Sequence, residues 1–336
     1  MIRSIIGLGI AGAIVIGASA AVAGPTIKLG HVDPAEWQTS KKGAAGVIFK
    51  NIVEGETDMT VELFPAKALG DENDLVQQVQ EGMATMAIVS GAMAKVCKPA
   101  DVLNIPYMFD TAPIAWDVLD GPFGKELAEY CLQKSGLRTL AFGETGFRDF
   151  TNNVREIKSP ADMKGLKFRV QPTPFYVEMV KALGGEPTPI AWSELPNALS
   201  TGVVDGQENP VGVIYSNNIY KLQKYMILDR HVYGADFILI NDEFFQALPP
   251  REQAVIRTAA RMAGNMGRAI QEFNTAEGLI RVIEGGMQVY SPTDEELAEF
   301  KSLAQPAVKK WLAEELGDDA VWIDKLEKAV AEVANK

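Results

Sequence analysis

Strand-like and helix-like segments alternate along almost the whole chain, and that order constrains the fold more than any other feature. TIKLGHV (26–32) reads as a strand, and 40–54 has the apolar spacing of a helix. MTVELF (59–64) alternates like a strand. The helix over 72–81 carries acidic residues in its first turn, where they complement the helix dipole. ATMAIVSG (84–91) returns as a strand, 122–134 as a helix closed by Gly136, and LRTLAFGE (137–144) as a strand. A second set follows. LKFRV (166–170) is a strand, and Pro174 to Leu183 is a helix stopped by Gly184-Gly185. PTPIAW (187–192) is a short strand and 194–200 a helix capped by Ser193. VVDGQEN (203–209) and DFILIN (236–241) are strand-like. Repeated β-α-β order predicts an α/β fold with an at least partly parallel sheet.

One run departs from domain scale. Residues 250–284 keep helical apolar spacing for roughly 50 Å at 1.5 Å per residue. The run reads as a single helix lying across two domains, or as two helices broken near Gly264 or Gly278.

The first residues read as a leader, not as part of the fold. A short basic start at Met1–Arg3, an uncharged apolar run from Ile5 to Ile16 and small residues at Ala18–Ala23 predict a secretory signal peptide over 1–23. Gly7-Leu8-Gly9-Ile10-Ala11-Gly12 fits the G-x-G-x-x-G pattern but falls inside that leader, without the strand and βαβ unit a dinucleotide site needs. An exported chain makes a Cys97–Cys131 disulfide possible; two buried thiols are the alternative, and spacing does not decide.

Composition removes several classes of function. A net charge of −12 argues against a nucleic-acid partner. His31 and His231 are the only histidines, and no H-E-x-x-H, Cys-x-x-Cys pair or EF-hand loop occurs, so neither a metal site nor a cofactor is expected. The G-x-S-x-G and Walker patterns are also missing. An exported hydrolase or isomerase using scattered carboxylates is the alternative of another class.

Two arginines stand where open α/β sheets place ligands, near carboxyl ends of strands: Arg148 after 137–144, and Arg169 in LKFRV. Arg grips a carboxylate with two parallel hydrogen bonds. Taken alone, each reads sooner as a surface or structural ion pair than as a ligand clamp, and the alternation of LKFRV permits an Arg169 that snorkels to water.

The stretch 160–210, with ADMKGLKFRV, GGEPTPIAWSEL and TGVVDGQENP in order, resembles the DctP-like substrate-binding proteins of tripartite ATP-independent periplasmic (TRAP) transporters. LFPAKALGDEN (63–73), EGMATMAIVSG (81–91), LNIPYMF (103–109) and the helix from 250 extend the resemblance over essentially the whole chain after the leader. It implies a two-domain periplasmic binding protein, each domain a mixed sheet flanked by helices, that closes over a small organic anion and passes it to membrane permease subunits. A signalling domain for a membrane sensor is a further reading. The expected state is a monomer.

The same resemblance implies roles for particular residues. Arg169 would form the main salt bridge to the ligand carboxylate, Arg148 would support it, Asn209 would hydrogen-bond the same group and Trp192 would pack on the ligand. From the other domain, His31, Glu36, Trp37, Gln38, Glu72 and Ser90 fall in family contact regions, with bulky Trp37 a departure from the family's usual run. Asp236 matches a variable position that would accept from a hydroxyl or ammonium, or pair with Arg148. An acid there favours a monocarboxylate with a hydroxyl, oxo or amino substituent; a C4-dicarboxylate or an organosulfonate is the alternative. The expected domains are 24–145 with 235–274, and 146–234 with 275–336.

Overall fold

The computed structural model describes residues 24–335. The signal-peptide reading and the Gly7–Gly12 pattern lie outside the described residues. In chain order the first elements are β1 (Thr26–Gly30), α1 (Lys41–Glu56), β2 (Thr60–Phe64), α2 (Glu72–Gln80), β3 (Met86–Val89), α3 (Ala112–Asp120), α4 (Pro122–Ser135) and β4 (Leu137–Asn152). Then come β5 (Lys167–Val170), α5 (Pro174–Ala182), β6 (Glu186–Pro189), α6 (Leu195–Ser200), β7 (Gly206–Asn209), α7 (Val211–Ser216) and β8 (Tyr225–Asn241). The chain ends with α8 (Asp242–Ala247), α9 (Pro250–Glu284), β9 (Gln288–Tyr290), α10 (Asp294–Leu316) and α11 (Val321–Ala334).

The strands form one sheet in the order β2-β1-β3-β8-β4-β7-β5-β6, with β9 also on β8. Its spine is the antiparallel pair β4 and β8, in register from Leu137↔Asn241 to Asn152↔Tyr225. One half of the spine meets β3, the other β7 and β9. Two lobes therefore share a pair of continuous strands, and each lobe's part of the sheet mixes parallel and antiparallel neighbours. Both spine strands are longer than the sequence pattern predicts. Register shifts at Thr139/Ala141, Glu144/Gly146 and Arg148/Phe150 break the two-residue alternation, and Gly146 takes a φ of 101° in the middle one. A strand that bulges three times loses the period by which it would be recognised.

In the first lobe, the sheet is covered on one face by α1 and the amino-terminal half of α9, around Phe49, Ile256 and Ala260. The other face is covered by α2, α3, α4 and α11. In the second lobe, α5 and α10 cover one face, and α6, α7 and the carboxyl-terminal half of α9 the other. The run over 250–284 is thus a single helix serving both lobes. Gly264 does not break it; a Cβ there would lie 2.6 Å from the Phe142 carbonyl oxygen, so the glycine lets the helix rest on β4.

Residues 275–336, expected in the second domain, divide between the lobes. Phe300, Ala304 and Val308 of α10 pack on α5, whereas Leu312 and Leu316 enter the first-lobe core. Trp322 of α11 meets the edges of Phe123 and Tyr130 on α4, with ring centres 5.9 and 5.3 Å apart. The apolar stripe of α11 finds its match there and not on the second lobe. Cys97 and Cys131 are joined in a disulfide that pins the segment after β3 to α4.

Candidate functional site

The lobes face each other across a cleft between the carboxyl ends of β1, β3 and β5. Arg169 stands on the second-lobe wall. Its strand lies between β6 and β7, so Phe168, Arg169 and Val170 are all buried, and Arg169 is only 1% exposed. Its Nε–H donates to the Ile190 carbonyl at 2.8 Å, and its guanidinium carbon lies 5.7 Å from the centre of the Trp192 ring. Among the described residues no carboxylate comes within 4.0 Å of it. Burial, reinforced by the neighbouring Arg148 and partly offset by Glu208, lowers its pKa to about 10. At neutral pH it remains a buried cation whose Nη groups have no ion-pair partner.

Arg148, on β4, is also 1% exposed, but its charge is paired. Its Nε and Nη2 both donate to the Glu208 carboxylate, and Nη2 also donates to the Glu208 carbonyl at 2.7 Å. His231 lies behind them, stacked on Phe150 with ring centres 4.1 Å apart. Its Nδ1 is 2.9 Å from Asp229 and its Nε2 3.3 Å from Glu208. Burial alone would lower the His231 pKa, but Asp229 and Glu208 outweigh it and raise it to about 9. Burial likewise opposes ionisation of Glu208, yet Arg148 and His231 hold its pKa below the usual carboxylate value. Arg148 is therefore an oriented donor with its charge already matched.

Asn209 ends β7 and opens on the same cleft. Its Nδ2 donates to Gln207 at 2.6 Å, Gln207 Nε2 donates to Thr151 at 2.9 Å, and Thr151 donates to Gln223 at 2.8 Å. This chain fixes the amide's orientation before any ligand arrives.

The opposite wall is built on the amino terminus of α1. Ser40 caps the helix by accepting from the Gly43 N–H, and Lys41 and Lys42 follow, 4% and 2% exposed. Cations are disfavoured at that end of a helix dipole, so their partners must come from elsewhere. Lys41 Nζ is 2.8 Å from Asp33. Lys42 Nζ is 2.5 Å from Glu72 and 3.4 Å from Asp236. Glu72 also accepts from the backbone N–H of Ser90 at 3.0 Å and from the Ser90 hydroxyl. Burial opposes ionisation of Asp33, but Lys41 and Lys42 bring its pKa down to about 2. Ser193, from the second lobe, donates to Asp71 at 2.6 Å, so the lobes touch at the cleft mouth.

Six residues expected at the site line this one cleft: Arg169, Arg148, Asn209, Trp192, Glu72 and Ser90. Asp236 does not. It is buried with Lys42 and accepts from Thr145 at 2.6 Å, while Arg148 takes Glu208 as its partner. His31 is buried outside the lining, and burial lowers its pKa to about 4, which keeps it neutral. Trp37 and Gln38 sit on the exposed loop before α1, Trp37 being 52% exposed, and neither lines the cleft. Sequence reasoning missed Lys41, Lys42 and Asp33. The available signal was two lysines directly after an N-cap, the wrong charge for a first turn.

The profile described as bacterial extracellular solute-binding protein, family 7 (DctP), matches residues 30–315. Among curated relatives, the chain is 31% identical over 264 residues to the 2,3-diketo-L-gulonate-binding periplasmic protein YiaO of Escherichia coli, covering 76% of this chain and 79% of that one. Among solved structures, it resembles the sugar acid binding protein DctPAm of Advenella mimigardefordensis in complex with galactonate. The TM-score is 0.86 at 30% identity, over 92% of this chain and 98% of the other. A TRAP periplasmic solute binding protein of Polaromonas bound to D-erythronate aligns with a TM-score of 0.84 at 31% identity, over 90% and 98% of the two chains.

Proposed function

The chain belongs to the bacterial extracellular solute-binding proteins, family 7, as a TRAP-type receptor for small acids, and on that premise we propose that its ligand is a hydroxylated monocarboxylate. The observation that carries this reading is Arg169, a buried guanidinium facing the cleft with no carboxylate against it among the described residues. A ligand carboxylate would supply the missing charge. Asn209 and Arg148 would add donors, and Trp192 an apolar face.

Lys41, Lys42, Glu72 and Ser90 already neutralise and orient one another with Asp33 and Asp236. Such a wall offers donors and acceptors to hydroxyl groups but no uncompensated second cation, which favours a monoanion over a C4-dicarboxylate. The ligands named for the similar proteins, 2,3-diketo-L-gulonate, galactonate and D-erythronate, are each one carboxylate on a polyhydroxy or oxo chain. The receptor is exported by residues 1–23, its lobes close on the ligand about the shared strands and α9, and it hands the ligand to a membrane permease. Among the described residues no helix is long and apolar enough to cross a membrane.

The test is to unfold the purified protein and identify the released molecule by mass spectrometry. Calorimetry with aldonates, a C4-dicarboxylate and a sulfonate then follows. A hydroxylated monocarboxylate that binds more tightly than both others is the expected outcome. Preferential binding of the dicarboxylate or the sulfonate overturns the ligand reading.

A further inference from the structure

A second cavity, of about 340 Å³, lies beside the cleft. It is bounded by the 3-10 segments over 91–104, the start of α5 and the end of α10. Asn73, Ala92, Pro172 and Thr173 line both spaces, so they form a lip between the cleft and this annex. The lobes come close at that lip: a Cβ on Gly91 would lie 2.9 Å from Oε1 at the end of the Gln171 side chain.

Beyond the lip the chemistry is mixed. Trp311 supplies a partly buried aromatic wall, Lys95 and Lys98 supply donors, and Glu315 and Asp101 supply acceptors. Lys98 lies 3.4 Å from Glu315, whereas Lys95 has no ion-pair partner among the described residues. The annex therefore has a small-molecule pocket's size and an aromatic face with both donors and acceptors near it. Those are the elements that hold a sugar ring, whose C–H face packs on an indole while its hydroxyls pair with charged groups.

We propose that the annex is a second subsite, which takes a sugar ring joined to the hydroxy acid held at Arg169. On this view the receptor accepts glycosylated aldonates (aldobionic acids) as well as simple ones. The proposal rests on the carboxylate being anchored at Arg169. A free acid fills the cleft and stops at the lip, whereas its glycosyl derivative passes between Ala92 and Thr173.

Calorimetry on the full chain tests this with gluconate against maltobionate and lactobionate, which carry a hexose on the same gluconate unit. The expected result is that at least one of the two disaccharide acids binds. Ala94→Leu, which fills the annex without touching the cleft lining, and Lys95→Ala, at an exposed position, should each weaken that acid by about tenfold or more and leave gluconate unchanged. Binding of gluconate without either disaccharide acid overturns the annex and leaves the anchor standing. So does disaccharide binding that neither variant changes. Binding of all three acids to Arg169→Ala as tightly as to the wild type overturns the anchor. Absence of binding by all three acids overturns both.

Discussion

On the first-lobe wall of the cleft two lysines face three carboxylates; on the second-lobe wall, of two arginines only Arg148 has a carboxylate. Lys41 and Lys42 are matched by Asp33, Glu72 and Asp236, so that wall is satisfied without a ligand. Glu208 is bound by Arg148, and Arg169 is left over. Both walls bury charge at similar depth, yet one holds the fold together and the other holds a place for an anion. Burial marks a charge as costly. The ion-pair inventory tells which charge the protein completes by itself.

The largest expected effect breaks the first wall. Lys42→Met leaves Asp236, buried, and Glu72, half-buried, without their cation and should cost about 3–5 kcal/mol of stability. Urea unfolding measures it, and a loss below about 1 kcal/mol would show that the wall is not held by its ion pairs.

Arg169→Ala should do the reverse. Affinity for the acid falls by about 2–5 kcal/mol, while the ligand-free protein unfolds at the same temperature or higher, because an uncompensated buried charge has gone. Calorimetry and a thermal melt of one preparation separate the two quantities. A drop in the melting temperature with affinity intact would reverse the roles assigned to the walls.

The walls should also fail at opposite ends of the pH scale. His231, raised to about 9, contributes stability that is complete below its ordinary value of 6.5 and is lost as pH climbs towards 9. Asp33, held at about 2, contributes stability present above its ordinary 3.8 and lost as pH falls towards 2. Melting temperatures followed from acid to alkaline pH should therefore decline at both extremes. His231→Gln should flatten the alkaline limb only; if it flattens the acid limb instead, the assignment fails.

Two tryptophans give the smallest contrast. Trp192, over Arg169 and in the cleft, should cost about 1 kcal/mol of affinity when replaced by alanine. Trp37, exposed outside it, should change affinity by less than about 0.5 kcal/mol. Equal effects would mean that the loop before α1 reaches the ligand after all.

The sequence was informative where a signal is local. Alternating segments predicted the α/β layers, and apolar spacing over 250–284 admitted the single helix that forms. The spine strands were underestimated because three bulges erase their period. Arg169 illustrates the limit of periodicity: LKFRV alternates as a half-buried strand does, and only its resemblance to a family motif placed the arginine inward. Burial between β6 and β7 accounts for that placement. The lysine wall stayed hidden because both partners of Lys42, Glu72 and Asp236, come from distant segments. The position of α11 escaped for the same reason, since its partner face is assembled from α3 and α4.

The path of the chain has a consequence for how such a receptor changes its ligand. The backbone passes between the lobes along β4, β8, α9 and α10, and no crossing is a loose linker. Neither lobe is a contiguous cassette, because each lobe's core is assembled from chain segments on both sides of such crossings. Specificity in such a frame is most simply altered by side chains on the two walls, because a change there leaves all four crossings intact.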